Sequence, residues 1–227
     1  MIKKIGTVLL VAIIGFAISL WVISEPRPEG ISGAKAESLA RKMLQSLNAP
    51  AWDSLDMVSW NFKGIHDYHW DRKNEKVTVS WDGWRVVLDL TKETGIVYQN
   101  NTEVNDDAIV KKALTYFYND SFWLCAPFKI YDPGTARSLV ATDEGDALLV
   151  TFNQGGVTPG DAYLWYLDEK GFPYKYKMWV KIIPIGGLSF TWEDWRQFDG
   201  IWLAQNHKGL INVALQGITV GNGPEVR

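Results

Sequence analysis

Few residues of this 227-residue chain are equipped for chemistry. There are three histidines, and His66 and His69 stand close together in His66-Asp67-Tyr68-His69. On a strand that spacing sends them to opposite faces. It is not the helical H-E-x-x-H zinc pattern, and no third ligand is marked. Both are expected at the surface or in a turn, as is His207 in Gln205-Asn206-His207-Lys208-Gly209. The single cysteine, Cys125, excludes an intrachain disulfide and a cysteine-based zinc site. It sits in the apolar run Phe122-Trp123-Leu124-Cys125-Ala126, without a neighbouring base, and reads as a buried inert thiol.

Other catalytic patterns are missing. There is no G-x-S-x-G elbow. Gly155-Gly156 and Gly186-Gly187 fall between strands, whereas a phosphate cradle needs a helix after the loop. Trp192-Glu193-Asp194-Trp195 puts rings beside carboxylates, as sugar-cleaving and sugar-binding grooves do. Adjacent strand residues diverge, so Glu193 and Asp194 do not form a working pair by themselves. No catalytic residue, metal ligand or cofactor is assigned.

What the chain has in quantity is aromatic surface, with 12 Trp. The elements that position it are readable. Ala36, Leu39, Ala40, Met43, Leu44 and Leu47 recur at helical spacing and predict an amphipathic helix over 34–47, stopped by Asn48 and Pro50. A second helix starts at Asn105-Asp106-Asp107, capped by Asn105, with Ile109, Val110, Ala113, Leu114 and Phe117 on its apolar face. It is expected to end near Asn119-Asp120, with an apolar strand or loop over 122–130. Between and after the helices the period is two. Asp82-Gly83 predicts a type I′ hairpin pairing Trp81 with Trp84, Val79 with Val86 and Val77 with Leu88, all on one face.

The densest block is 161–203, read as four antiparallel strands. Tyr174, Tyr176, Met178 and Val180 take one face of a strand, and Lys175, Lys177, Trp179 and Lys181 the other. The lysine row with Trp179 is a candidate membrane-surface patch. Alternation slips at Glu193-Asp194, which predicts a β-bulge. Turn signals without intervening helices give an antiparallel meander of about ten strands with two helices.

The N-terminus adds a compartment. After Lys3 and Lys4, residues 5–23 carry no charge, long enough to nearly cross a hydrocarbon core of ~30 Å at ~1.5 Å per helical residue. Residues 1–24 are expected to be an uncleaved inner-membrane anchor with the C-terminal domain exported to the periplasm, the alternative being a signal cleaved near Ala17-Ile18-Ser19. Residues 25–33 read as a linker and 34–227 as one domain. Net charge is −3, without a Lys/Arg block, so a nucleic-acid partner is not expected.

Within the dense block stand Asp161-x-Tyr163-Leu164-Trp165-Tyr166-Leu167-Asp168, Gly171-Phe172-Pro173, Phe190-x-Trp192-x-Asp194-Trp195 and Phe198-Asp199-Gly200-Ile201-Trp202-Leu203. This set resembles the LolA/LolB/LppX superfamily of exported lipoprotein carriers, with Ala204 where those proteins usually have proline. The resemblance implies a curved, incomplete antiparallel β-barrel with helices covering its open concave side, and acyl chains held between sheet and helices. The expected function is non-catalytic binding of an apolar or amphipathic ligand, with Trp81, Trp84, Tyr174, Tyr176, Met178 and Trp192 as candidate ligand-binding residues. The rival expectations are a carbohydrate-binding envelope module using exposed rings, and a hydrolase.

Overall fold

The computed structural model describes residues 24–154 and 159–221. The expected anchor over 5–23 and the Gly155-Gly156 pair lie outside those residues. Among the described residues, no helix is long and apolar enough to cross a membrane.

The chain is mainly β, built on two antiparallel sheets. Six strands, β1 (Met57–Phe62), β2 (His66–Asp71), β3 (Lys76–Trp81), β4 (Trp84–Asp89), β5 (Thr94–Gln99) and β6 (Thr102–Val104), form a meander. A second meander follows: β7 (Thr135–Thr142), β8 (Gly145–Phe152), β9 (Asp161–Leu167), β10 (Pro173–Trp179) and β11 (Leu188–Thr191). The last strands, β12 (Glu193–Phe198), β13 (Ile201–His207) and β14 (Val213–Gly221), return to the first sheet. They give it the order β12-β13-β14-β1-β2-β3-β4-β5-β6, while the second sheet runs β11-β10-β9-β8-β7.

One stretch stitches the sheets. β11 pairs with β10, β12 pairs with β13, and only Trp192 separates them. Asp194 has φ 56 where the alternation slips, but the β12–β13 register runs from Glu193–Asn206 to Trp195–Ala204 without an extra residue, so the expected β-bulge is corrected to a left-handed residue beside the change of sheet at Trp192. The Thr191 amide donates to the Lys208 carbonyl and the Trp192 amide to the Tyr174 carbonyl, at 2.9 and 2.8 Å. The result is an incomplete barrel, curved but not closed, as expected. Among the described residues it has 14 strands where about ten were anticipated, because short edge pieces such as β6 and the consecutive segments β11 and β12 count separately.

Helices α1 (Ala34–Leu47), α2 (Ala49–Asp53) and α3 (Asp107–Cys125) cover the concave side. α1 lays Ala36, Ala40, Met43 and Leu47 on the second sheet, and α3 lays Val110, Ala113, Leu114 and Phe117 on the first. Three expectations for this layer are corrected. The α3 cap is Asp106, whose Oδ1 accepts from the Ala108 and Ile109 amides at 3.0 and 3.1 Å. α3 runs on past Asn119-Asp120 to Cys125, and a 3₁₀ turn covers Ala126–Lys129 where a strand or loop was expected. α2 replaces an expected loop, with Pro50 in its first turn and Arg72 donating to the Leu55 carbonyl at its far end, 2.8 Å.

The Trp81–Trp84 hairpin forms as read. Asp82 and Gly83 have φ 40 and 77, and the register pairs Trp81 with Trp84, Val79 with Val86 and Val77 with Leu88.

Residues 25–33, read as a linker, are docked as a strap over the convex face of the second sheet. The Glu25 amide donates to the Gly186 carbonyl at 3.0 Å, and Ile31 makes a β-bridge with Leu139 at the β7 edge. Beneath the strap lie Val140, Leu149, Leu164 and Tyr166, so this sheet is apolar on both faces.

Candidate ligand-binding site

The aromatic residues singled out from the sequence divide among three places. Tyr176, Met178 and Trp192 come together beneath α1. They join Trp165 and His207 in one cluster, with Trp165 5.1 Å from both Tyr176 and Trp192, Tyr176 5.8 Å from Trp192, and Trp192 4.3 Å from His207 between ring centres. Trp81 and Trp84 lie with the first sheet, Trp81 edge-on to Tyr116 of α3 at 5.4 Å.

Tyr174 is corrected. The β9–β10 register shifts between Pro173 and Lys175, so Tyr174 is the extra residue of a bulge. It turns to the convex face, 38% exposed, and its hydroxyl donates to Glu144 at 3.2 Å. The lysine row shares that face. Lys175 pairs with Glu144 and lies 4.1 Å over the Tyr166 ring. Lys177 pairs with Glu25 of the strap at 2.7 Å, and the Trp179 indole donates to the Glu25 carbonyl at 2.8 Å. Only Lys181 of the four is exposed. A groove of about 350 Å³ opens between strap and sheet, with Leu164, Tyr166, Trp179 and Pro28 among its walls.

Both cores hold buried polar atoms without a hydrogen-bond partner among the described residues, Trp60 Nε1, Trp70 Nε1 and Arg72 Nε at the first sheet and a group of four beneath α1. The Nε1 atoms of Trp165 and Trp192, the Tyr176 hydroxyl and His207 Nε2 are all buried without a hydrogen-bond partner among the described residues. Buried polar groups are otherwise nearly always paired, since leaving one unpaired costs about 1–3 kcal/mol. Sequence reading placed His207 in a turn. It is instead the last residue of β13, with no exposed surface. His207 Nδ1 donates to the Thr191 carbonyl at 3.2 Å, and the Trp123 backbone also lies against the ring, favouring its protonated form. Burial pulls the imidazole down to about 4, so the ring is neutral at pH 7. Burial holds the Tyr176 hydroxyl far above its ordinary value, so it too stays neutral. Two indole donors and a hydroxyl thus share one apolar interior with a neutral imidazole.

A second polar group, missed in the sequence, lies in the other core. His66 Nδ1 donates to Asp120 Oδ2 at 2.6 Å, and the Tyr68 hydroxyl donates to the same oxygen at 2.7 Å. Burial raises the Asp120 carboxyl, and the bonds from His66 and Tyr68 pull it part of the way back. Tyr116 stacks on the His66 ring at 4.0 Å. Among the described hydrogen bonds no serine, threonine or cysteine reaches His66, so the pair holds a proton without a partnered nucleophile. It ties β2 to α3. His69 is on the opposite, exposed face, bonded to Ser59 at 2.9 Å. The Cys125 thiol is buried, donates to the Ser121 carbonyl and is pushed up to about 11 by burial, as an inert thiol would be.

The sugar-groove pattern does not assemble. Glu193 pairs with Lys208 at 2.6 Å, Asp194 with Arg196 at 3.2 Å, and none of the described tryptophans is an exposed platform. Among the described residues, no group of three or more His, Cys, Asp or Glu is arranged to hold a metal ion.

No protein-family model matches the chain, and no curated protein matches it. Among solved structures, a DUF1329 family protein from Desulfovibrio piger is similar, with a TM-score of 0.43 and 9% identity over 84% of this chain and 95% of that one.

Proposed function

We propose that the chain is an exported, non-catalytic binding protein, tethered to the inner membrane by residues 5–23, for an apolar or amphipathic ligand of the lipid or lipoprotein acyl class. The ligand lies against the concave side of the second sheet, beneath α1. The observation that supports this reading is the set of unpartnered polar atoms on Trp165, Tyr176, Trp192 and His207 within an otherwise apolar interior. An acyl chain matches the apolar side chains gathered there, and a carbonyl or hydroxyl near its head matches the indole and hydroxyl donors. Burial of acyl surface at roughly 25 cal/mol per Å² supplies affinity without any chemical step. Met43 and Met178, unbranched and adaptable, line the same interior and suit a flexible chain.

Photo-crosslinking tests the proposal. The full chain in its membrane is irradiated with a lipid whose acyl chain carries a diazirine, and modified peptides are mapped. Adducts on the peptides bearing Met43, Tyr176, Met178 or Trp192 are expected. Adducts confined to residues 5–23 and to exposed loops would overturn the reading.

A further inference from the structure

Three neighbouring loops at one end of the sheets share a composition. The β1–β2 turn is Lys63-Gly64-Ile65. The β10–β11 loop is Val180-Lys181-Ile182-Ile183-Pro184-Ile185-Gly186-Gly187, and the β13–β14 loop is Lys208-Gly209-Leu210-Ile211-Asn212. Each joins a lysine to aliphatic residues, and none contains a carboxylate. The aliphatic side chains stand in water: Ile65 is 54% exposed, Ile182 66%, Leu210 75% and Ile211 52%. They are half of the large hydrophobic residues exposed among the described part of the chain.

The loops are adjacent. The Lys63 amide donates to the Ala214 carbonyl, joining the first loop to the start of β14. Gly209 is packed so closely on β11 that a Cβ there would lie 2.4 Å from the Phe190 ring, joining the third loop to the strand that follows the second. Among the described residues, the opposite end lacks exposed aliphatic tips. There the β2–β3, β4–β5, β7–β8, β9–β10 and β12–β13 turns carry exposed Glu75, Glu93, Asp143, Glu169 and Asp199, with Lys73, Lys92 and Lys170 beside three of them.

The described chain begins at the aliphatic end. The Gly186 amide donates to Ser24 Oγ at 2.9 Å, and the Glu25 amide returns a bond to the Gly186 carbonyl. Ser24 directly follows the uncharged run over 5–23.

We propose that this end is a membrane-docking surface, seated on the headgroups of an anionic bilayer. The partner follows from three features together. Exposed aliphatic tips flanked by Lys63 and Lys181, with Lys208 paired to Glu193, match the boundary between acyl chains and anionic headgroups. Most acidic turns are held at the far end of the strands, where repulsion from an anionic surface is weakest, with Asp82 of the β3–β4 turn an exposed carboxylate at the near end. The strap pins Ser24 to the β10–β11 loop, so no slack separates a membrane-embedded 5–23 segment from these tips. The same strap uses Lys177 and Trp179 internally, which moves the membrane contact from the lysine row to the loop tips. The proposal rests on the tether in the function proposed above and not on its ligand.

Site-directed fluorescence tests it. Cys125 is buried and leaves the background unlabelled. The full chain, carrying Ile65→Cys, Ile182→Cys or Leu210→Cys, is labelled with an environment-sensitive dye and reconstituted in vesicles of phosphatidylethanolamine and phosphatidylglycerol. Glu169→Cys and Asp199→Cys report the opposite end. The expected result is a several-fold lower quenching constant for aqueous iodide at the three tips than at Glu169 and Asp199, with quenching of the tips by nitroxide-labelled lipid. Equal iodide access at both ends, in a chain that stays with the vesicles, would overturn the docking surface and leave the tether standing. A chain that does not stay with the vesicles would overturn both. Tips shielded from iodide yet untouched by nitroxide lipid would assign the surface to another protein or a second copy, and overturn the proposal.

Discussion

Acidification should weaken this fold through one residue, His207. Its neutral ring is buried against Trp192 and Trp123, with Nδ1 on the Thr191 carbonyl. Burial lowers the folded-state value from 6.5 to about 4. The folded chain therefore binds fewer protons at this site than the unfolded chain between those values, and stability falls as pH falls. The contribution is complete above pH 6.5, drains away towards pH 4 and is gone below it. At 1.36 kcal/mol per pH unit the whole gap is worth roughly 3 kcal/mol, and a drop from pH 7 to 4.5 forfeits about 2.5 kcal/mol of it. The measurement is urea unfolding of the full chain at both pH values, for the native sequence and for His207→Gln, whose amide still donates to Thr191. Glu37, Glu144 and Glu193, held low by their hydrogen-bonded partners, also lose stability towards low pH, whereas Asp120, held high by burial, works in the opposite direction. These groups are common to both chains and cancel in the difference. The native chain should lose about 2.5 kcal/mol more than His207→Gln. Equal losses would refute the assignment of a buried neutral ring.

Asp120→Ala removes the shared acceptor of His66 and Tyr68, leaves two buried donors unpaired, and should cost about 3 kcal/mol by urea midpoint, more than Ser59→Ala at the exposed His69 contact. Gly209→Ala places a methyl 2.4 Å from the Phe190 ring and 2.5 Å from the Ser189 carbonyl, at the stitch between the sheets, and should cost about 2 kcal/mol, read as a lowered Tm. Glu25→Gln removes the strap's pairing with Lys177, where Glu25 is 53% exposed, so global stability should change by at most about 0.5 kcal/mol. Cleavage within residues 24–33 should nevertheless quicken in limited proteolysis, because the strap loses an anchor and opens locally.

Much of the architecture was legible because local signals agreed. At the Trp81–Trp84 hairpin, turn chemistry and alternation specify one register, and the strands adopt it. At Glu193-Asp194 a slip in alternation marked the place where the chain passes between the sheets, through a left-handed Asp194 and not an extra residue. The failures share a cause, which is a partner distant in the sequence. Asn119-Asp120 has the composition of a helix stop, but Asp120 is satisfied inside the fold by His66, 54 residues away, so α3 continues. Tyr174 is phased with Tyr176 in the sequence, and only pairing with β9 reveals the extra residue. Residues 25–33 have linker composition, yet Gly186, Trp179 and Leu139 hold them. His207 lies in a polar pentapeptide, and nothing local signals that Trp123 and Trp192 enclose it. The aromatic wealth of the candidate site was visible from the start. The gathering of four unpaired polar atoms was not, because two-residue alternation reports a face and not the neighbours across it.

The central claim, an amphipathic ligand beneath α1, is tested most directly at the indole protons of Trp165 and Trp192. The full chain is labelled with ¹⁵N, the two indole resonances are assigned with Trp165→Phe and Trp192→Phe, and a short-chain phospholipid is added below its micelle concentration. The claim predicts that both resonances move downfield as the indoles gain an acceptor, while the Trp52 indole, in the other core, stays in place. Saturating lipid that leaves the Trp165 and Trp192 resonances unmoved would contradict it.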